Sequence, residues 1–154
     1  MKRSEMSKIE RSVFIQAPRA RVWRALTDLA EFSKWFGVSA EGRFVPGARL
    51  MMTVTIEGYA GMVFYLMVEK MEPMELFSWR WHPGSVEPGI DYSKEPTTLV
   101  EFRFRDEAGG TRVTVVESGF EAISLARRAK VFEENTGGWE YQMAALEKYV
   151  RESA

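Results

Sequence analysis

Cysteine is missing from this 154-residue sequence, and with it go thiolate nucleophiles, disulfide staples, iron–sulfur clusters and cysteine-ligated zinc sites. Histidine occurs once, at His82, which excludes a multi-histidine metal centre and leaves a Ser-His-Asp arrangement one residue to draw on. No metal and no cofactor is expected. A run of about 18 apolar residues able to span a bilayer is absent, and residues 1–11, MKRSEMSKIER, lack the apolar stretch of a signal peptide. The expectation is a cytoplasmic chain without membrane insertion. The basic excess of a nucleic-acid binder is also lacking, because 21 Lys and Arg face 22 Asp and Glu. Gly-rich phosphate loops and the HExxH, GxSxG and EF-hand spacings do not occur.

What the sequence holds in quantity is apolar bulk. Five Trp, ten Phe and nine Met contribute to a 45 % hydrophobic content, enough to offset the ordering entropy of one domain. No repeat or linker divides the chain, so residues 9–152 are expected to form a single domain behind a short tail, residues 1–8. Ile9 to Gln16 reads as a strand. Pro18 then opens a helix pair, roughly Arg19 to Leu29 and Glu31 to Phe36, with Val22, Leu26 and Leu29 at helical spacing.

The centre alternates with period two. Pairing Glu57 with Gly61 across the Gly58-Tyr59-Ala60 turn sets Leu50, Met52, Val54 and Ile56 beside Val68, Leu66, Phe64 and Met62 on one apolar face. Pairing Met71 with Leu76 adds Phe77, Trp79 and Trp81 to that face. It sends Tyr65, Met67, Glu69, Ser78, Arg80 and His82 to the other. A further hairpin, Thr97 to Arg105 and Thr111 to Ser118 around residues 106–109, is best patterned with Phe104 opposite Thr111. Val100, Phe102, Phe104, Val113 and Val115 then point inward, and Glu117 points inward opposite Thr98. That carboxylate is either a polar group on the inner face or a strand-end residue near solvent.

From Glu121 the period becomes helical. Leu125, Ala129, Phe132, Thr136, Trp139, Met143, Leu146 and Val150 form one stripe, interrupted by Gly137 and Gly138, which either kink the helix or admit a neighbouring backbone. Laying this helix across the concave face of a curved antiparallel sheet gives an α+β architecture. Arg127, Arg128 and Lys130 read as a solvated basic face.

The order of these segments carries a resemblance. APRARVWRALTD (Ala17 to Asp28) followed by Trp35-Phe36, then FVPGARL (Phe44 to Leu50), FSWRWHP (Phe77 to Pro83), GTRVTVVESGF (Gly110 to Phe120) and GGWEYQMAALEKYV (Gly137 to Val150) together resemble the START/Bet v 1-like (SRPBCC) superfamily. Within it they are most similar to the branch of heat shock protein 90 ATPase activator homologues. The resemblance covers about Ile9 to Val150. It implies the helix-grip fold, a sheet of six or seven strands wrapped on a long C-terminal helix, with a cavity between them often used for apolar small molecules. It implies no catalytic motif. The eukaryotic activators are similar to this chain in one of their two domains, so a chaperone role stands second.

On this reading the ligand-contacting residues are Met52, Met62, Phe64, Leu66, Trp79, Trp81, Phe102, Trp139 and Met143, since methionine beside tryptophan suits a pocket of adaptable shape. The same set also serves as plain core. Glu117 and His82 are the candidate acid–base residues, His82 being either an edge histidine or a general base at the cavity mouth. The long segment from Pro83 to Pro96 offers Asp91, Tyr92 and Lys94 as polar candidates on a binding loop or a plain connection. Three functions follow: a small cytosolic protein that binds an apolar or amphipathic molecule, an interaction module acting on a chaperone ATPase, and a cyclase- or hydrolase-type enzyme using the same cavity.

Overall fold

The computed structural model describes residues 7–84, 91 and 93–153. Strand β1 (Lys8–Ile15) is followed by helices α1 (Arg19–Thr27) and α2 (Leu29–Phe36). Pro18 is the N-cap of α1, where a missing N–H costs nothing. Asp28 both ends α1 and caps α2, its side chain accepting from the Glu31 backbone N–H at 3.1 Å. Gly37 ends α2 in the left-handed region at φ 80°. A Cβ there would also lie 2.5 Å from Ile56 Cγ1, so both conformation and space call for glycine.

Strands β2 (Val38–Ser39), β3 (Arg49–Val54), β4 (Val63–Glu72), β5 (Leu76–Trp81), β6 (Thr98–Glu107) and β7 (Gly110–Ser118) complete an antiparallel sheet in the order β1-β7-β6-β5-β4-β3-β2. Helix α3 (Leu125–Glu152) crosses its concave face. This is the helix-grip arrangement, a seven-stranded open antiparallel sheet holding a long C-terminal helix.

The registers differ from the expected ones in detail. Leu50 pairs with Leu66 and Met52 with Phe64, two residues from the expected partners, because the turn after β3 is longer and places Gly58 and Gly61 at positive φ. Phe104 pairs with Val113 rather than Thr111, closing β6–β7 through a two-residue turn, Ala108-Gly109, with φ of 47° and 81°. That is the conformation whose twist matches a hairpin. Between β4 and β5 a bulge at Val68/Lys70 shifts the register: Val68 faces Trp79, whereas Met71 faces Phe77. The faces survive. Met52, Leu66, Phe77, Trp79, Val100, Phe102, Val113 and Val115 are buried, and Arg80 meets Glu69 outside at 2.7 Å.

In its second half α3 buries the expected stripe, Trp139, Met143, Leu146 and Val150, but in its first half it buries Arg128 and Val131 and leaves Leu125 exposed. The cover there is different: Val131 lies against Gly84, and Phe132 meets Phe120 edge-on at 5.2 Å. The basic run is correspondingly not all solvated. Arg128 is buried and donates to the carbonyls of Glu121 and Ile123, while Arg127 pairs with Glu95 and donates to the carbonyls of Pro83 and Gly84. Gly137 and Gly138 are exposed within a continuous helix, and a Cβ on either meets nothing within 4 Å. No neighbouring backbone requires them.

A polar tie locks the helices together. Glu31 accepts from Tyr149 Oη at 2.9 Å and pairs with Arg21 at 2.8 Å and Arg24 at 2.9 Å. Burial pushes the Glu31 carboxyl up, but the Tyr149 and Arg21 hydrogen bonds, the Arg21 charge and the Arg24 hydrogen bond outweigh it and hold the group below its ordinary value. Burial and the Glu31 contact push the Tyr149 phenol up.

Candidate functional site

Helix α3 does not seal the whole concave face. Over β5 and β6 it packs flush, with Trp139 5.8 Å from Trp81 in a stacked pair, 5.6 Å from Phe102 and 6.3 Å from Trp79. Toward the β3–β4 hairpin the two layers part around a cavity of about 600 Å³, within the range of small-molecule sites. Three elements wall it. The hairpin supplies Val54, Ile56, Tyr59, Met62, Val63 and Phe64; the end of α2 and the start of β2 supply Phe36, Gly37 and Val38; α3 supplies Glu134, Asn135, Gly138, Trp139, Tyr141 and Gln142. Trp81 and Gly84 complete the lining, and Tyr59 and Tyr141 are exposed at its rim.

At the inner end stands a polar cluster built on Glu117, which is 0 % exposed. Four donors converge on its carboxyl group. Oε1 accepts from Trp139 Nε1 at 2.8 Å and Asn135 Nδ2 at 2.9 Å; Oε2 accepts from Trp81 Nε1 at 2.8 Å, Thr98 Oγ1 at 2.5 Å and Asn135 Nδ2 at 3.2 Å. The topology explains the meeting. Trp81 closes β5, Thr98 opens β6, Glu117 lies near the end of β7, and Asn135 and Trp139 are one helical turn apart on α3. A buried carboxyl is tolerated where donors surround it, and a buried indole N–H needs an acceptor. Each requirement here satisfies the other.

The sequence-derived residues divide accordingly. Met62, Phe64, Trp81 and Trp139 line the cavity. Met52, Leu66, Trp79, Phe102 and Met143 lie behind its wall in the packed core, none more than 3 % exposed. Glu117 points inward as expected, facing Val100 in the ladder and bonding Thr98 diagonally. Its oxygens are occupied by Trp81, Thr98, Asn135 and Trp139, and it contributes nothing to the cavity lining. His82 is half-buried beyond the end of β5 and is not a lining residue; its Nδ1 has no partner among the described residues. In the 83–96 segment, residues 85–90 and Tyr92 lie outside the described residues. Asp91 accepts from the Ser93 backbone N–H at 2.9 Å, and Lys94 is exposed. Among the described residues no group of His, Asp and Glu is placed to hold a metal ion, and no helix is long and apolar enough to cross a membrane.

Residues outside the sequence-based set make up the rest of the site, among them Phe36, Ile56, Tyr59, Asn135, Gly138, Tyr141 and Gln142. The glycines of α3 were the visible signal. Exposed glycine in a helix interior loses about 1 kcal/mol of propensity, and at Gly138 the missing side chain leaves its space to the cavity.

The profile of a family described as Activator of Hsp90 ATPase homolog 1-like protein matches residues 16–151. No curated protein matches the chain in sequence. Among solved structures, protein MLL2253 from Mesorhizobium loti superposes with a TM-score of 0.75 at 20 % identity, over 96 % of this chain and 98 % of that one. DynU16, from the dynemicin biosynthetic locus, gives 0.71 at 23 % identity over 94 % of this chain; the present chain spans 47 % of its length. The Aha1 dimer from Colwellia psychrerythraea gives 0.70 at 17 % identity, over 93 % and 95 %. These likenesses show the fold.

Proposed function

Because the chain belongs to the Activator of Hsp90 ATPase homolog 1-like family, on a fold whose sheet and helix part around an open cavity, we propose that it is a small-molecule binding protein. Its ligand is apolar or amphipathic and sits between the β3–β4 hairpin and α3. The observation that carries this reading is the cavity of about 600 Å³ beside Trp81 and Trp139. The space is open at its rim, where Tyr59 and Tyr141 are exposed, and its walls are largely apolar, a surface that gains from being covered by an apolar molecule. The contact set narrows to Met62, Phe64, Trp81 and Trp139 from the first reading, joined by Phe36, Ile56, Tyr59 and Tyr141. With Glu117 committed to four donors, the site works as a receptor for shape and apolar surface rather than as an acid–base centre.

The test is native mass spectrometry and solvent extraction of the purified protein, followed by tryptophan-fluorescence titration with a panel of lipids and aromatic compounds. Gly138→Phe is the control. Its side chain enters open space and fills the cavity, so binding should be lost while the fold persists. A protein that carries nothing and whose fluorescence responds to no member of the panel overturns the proposal.

A second reading, modulation of an Hsp90-type ATPase through the outer surface, draws on the family description and on the likeness to the Aha1 dimer. Addition of the protein should then change the chaperone's rate of ATP hydrolysis, and an unchanged rate removes this reading.

A further inference from the structure

Two features of the cavity narrow the chemistry of its occupant. The first is charge. None of the described lining residues is Lys, Arg or His, and the one charged lining residue, Glu134, is an acid. A second acid, Glu117, stands immediately behind Asn135, Trp81 and Trp139. A carboxylate entering this space gives up part of its hydration, meets the Glu134 acid and finds no cation among the described lining residues to offset the loss. The indole donors that could serve it are already given to Glu117.

The second feature is the orientation of Asn135. Its Nδ2 is held by both Glu117 oxygens, at 2.9 and 3.2 Å. An amide whose nitrogen is fixed on a carboxyl turns its oxygen the other way. Asn135 lines the cavity, and Oδ1 accepts no hydrogen bond from the described residues. Glu117 thus acts through Asn135 as a positioning residue: it fixes which amide atom is left for a ligand. That atom is an acceptor, and its natural partner is a hydroxyl or N–H. Around it the surfaces are largely aromatic, with Phe36, Phe64, Trp81, Trp139, Tyr59 and Tyr141 on several sides. Such walls suit a planar ring better than a flexible chain.

We propose that the cavity selects an uncharged aromatic molecule bearing a hydrogen-bond donor, of the phenol type, which Asn135 receives through Oδ1, and that it rejects aromatic carboxylates of the same size. This rests on the binding reading above and adds the ligand class to it.

The experiment compares three probes of one scaffold at pH 7: 2-naphthol, 2-methoxynaphthalene and 2-naphthoate. Affinity is read by tryptophan fluorescence, and the indole N–H resonances of Trp81 and Trp139 report the location. The expected order is 2-naphthol tightest, 2-methoxynaphthalene weaker by about threefold to tenfold, the worth of one neutral hydrogen bond, and 2-naphthoate at least about tenfold weaker than naphthol. In Asn135→Leu the naphthol-to-methoxynaphthalene ratio should fall to about one. Glu134→Lys, at an exposed position and so independent of folding, should raise naphthoate affinity several-fold relative to naphthol. Equal binding of naphthol and methoxynaphthalene in the unaltered protein, a ratio that survives Asn135→Leu, or naphthoate as the tightest probe overturns the selectivity while leaving a binding cavity in place. Failure of all three probes to bind overturns the cavity reading and this inference with it.

Discussion

Replacing Glu117 with Gln probes the polar cluster with almost no change of volume. One carboxyl oxygen becomes an NH₂ group, so one side of the cluster becomes donor facing donor. If the NH₂ sits at the Oε1 position it meets the Trp139 indole and the Asn135 amide; at Oε2 it meets the Trp81 indole and the Thr98 hydroxyl. Asn135 can turn its amide and Thr98 can rotate its hydroxyl to accept. An indole N–H can only donate. In either orientation one tryptophan loses its acceptor, and a buried donor left unpaired costs about 1–3 kcal/mol. Urea denaturation followed by circular dichroism should show the midpoint falling by about 1 M at unchanged slope, given a slope of roughly 1–3 kcal/mol/M for a chain of this size. Either the Trp81 or the Trp139 indole resonance should shift, with Trp79, whose N–H has no acceptor among the described residues, as the internal reference. A midpoint within about 0.2 M of the parent, with both indole signals in place, refutes the argument that Glu117 holds these two side chains.

The remaining predictions use the same denaturation assay. Trp139→Phe should cost about 1–3 kcal/mol more than Trp79→Phe, because only the Trp139 N–H has a bonded partner to abandon; equal losses count against this. Gly138→Ala should raise stability by up to about 1 kcal/mol, since the added methyl meets open space in a helix. Gly37→Ala should lower it by more than about 1 kcal/mol, with φ at 80° and Ile56 in the way; a reversed order of the two glycines sinks the reasoning. The Glu31–Tyr149 tie sets two pH limits. Glu31 has a folded pKa below its ordinary 4.5, so its contribution is present above that value and is lost as pH falls through the folded pKa. Tyr149 is raised above 10.0, so its contribution is present below that value and is lost as pH rises through the folded pKa. Glu31→Gln should flatten the acid limb of a stability-against-pH curve, and an unaltered limb contradicts this.

The fold was legible in the sequence because the side-chain period of a strand is two. The expected β3–β4 and β6–β7 pairings each miss by two residues, and a slip of two changes every partner while leaving every face unchanged. Glu117 therefore pointed inward under either register. The bulge at Val68/Lys70 was not legible, because an inserted residue leaves no mark in a binary pattern. Nor was the short β2, whose two residues, Val38 and Ser39, carry no alternation to read. The cavity was legible only in part for a similar reason. Apolar residues on one inner face look alike in sequence whether they stand at a wall, as Phe64 and Trp81 do, or behind it, as Met52, Trp79 and Phe102 do. What separates them is where the sheet and helix diverge, a property of curvature.

The helix holds the most instructive case. Read for apolar residues, α3 shows one stripe ending in Trp139, Met143, Leu146 and Val150. A second stripe with the same alternation of three and four runs through Arg128, Val131, Asn135, Gly138 and Gln142, each one residue before a member of the first and so about 100° around the helix. Only one of its members is a large apolar residue, so hydrophobic patterning assigns it to solvent. In the structure its first turn is covered, with Arg128 bonding the carbonyls of Glu121 and Ile123 and Val131 packed on Gly84. Its later turns, Asn135, Gly138 and Gln142, face the cavity. The composition of the stripe follows from that position. On the proposed binding reading, a side chain lining a space kept for a ligand is small, as Gly138 is, or carries a polar group, as Asn135 does. Of the two parallel stripes on this helix, the apolar one marks what the protein packs against, and the later turns of the mixed one mark the face beside the cavity.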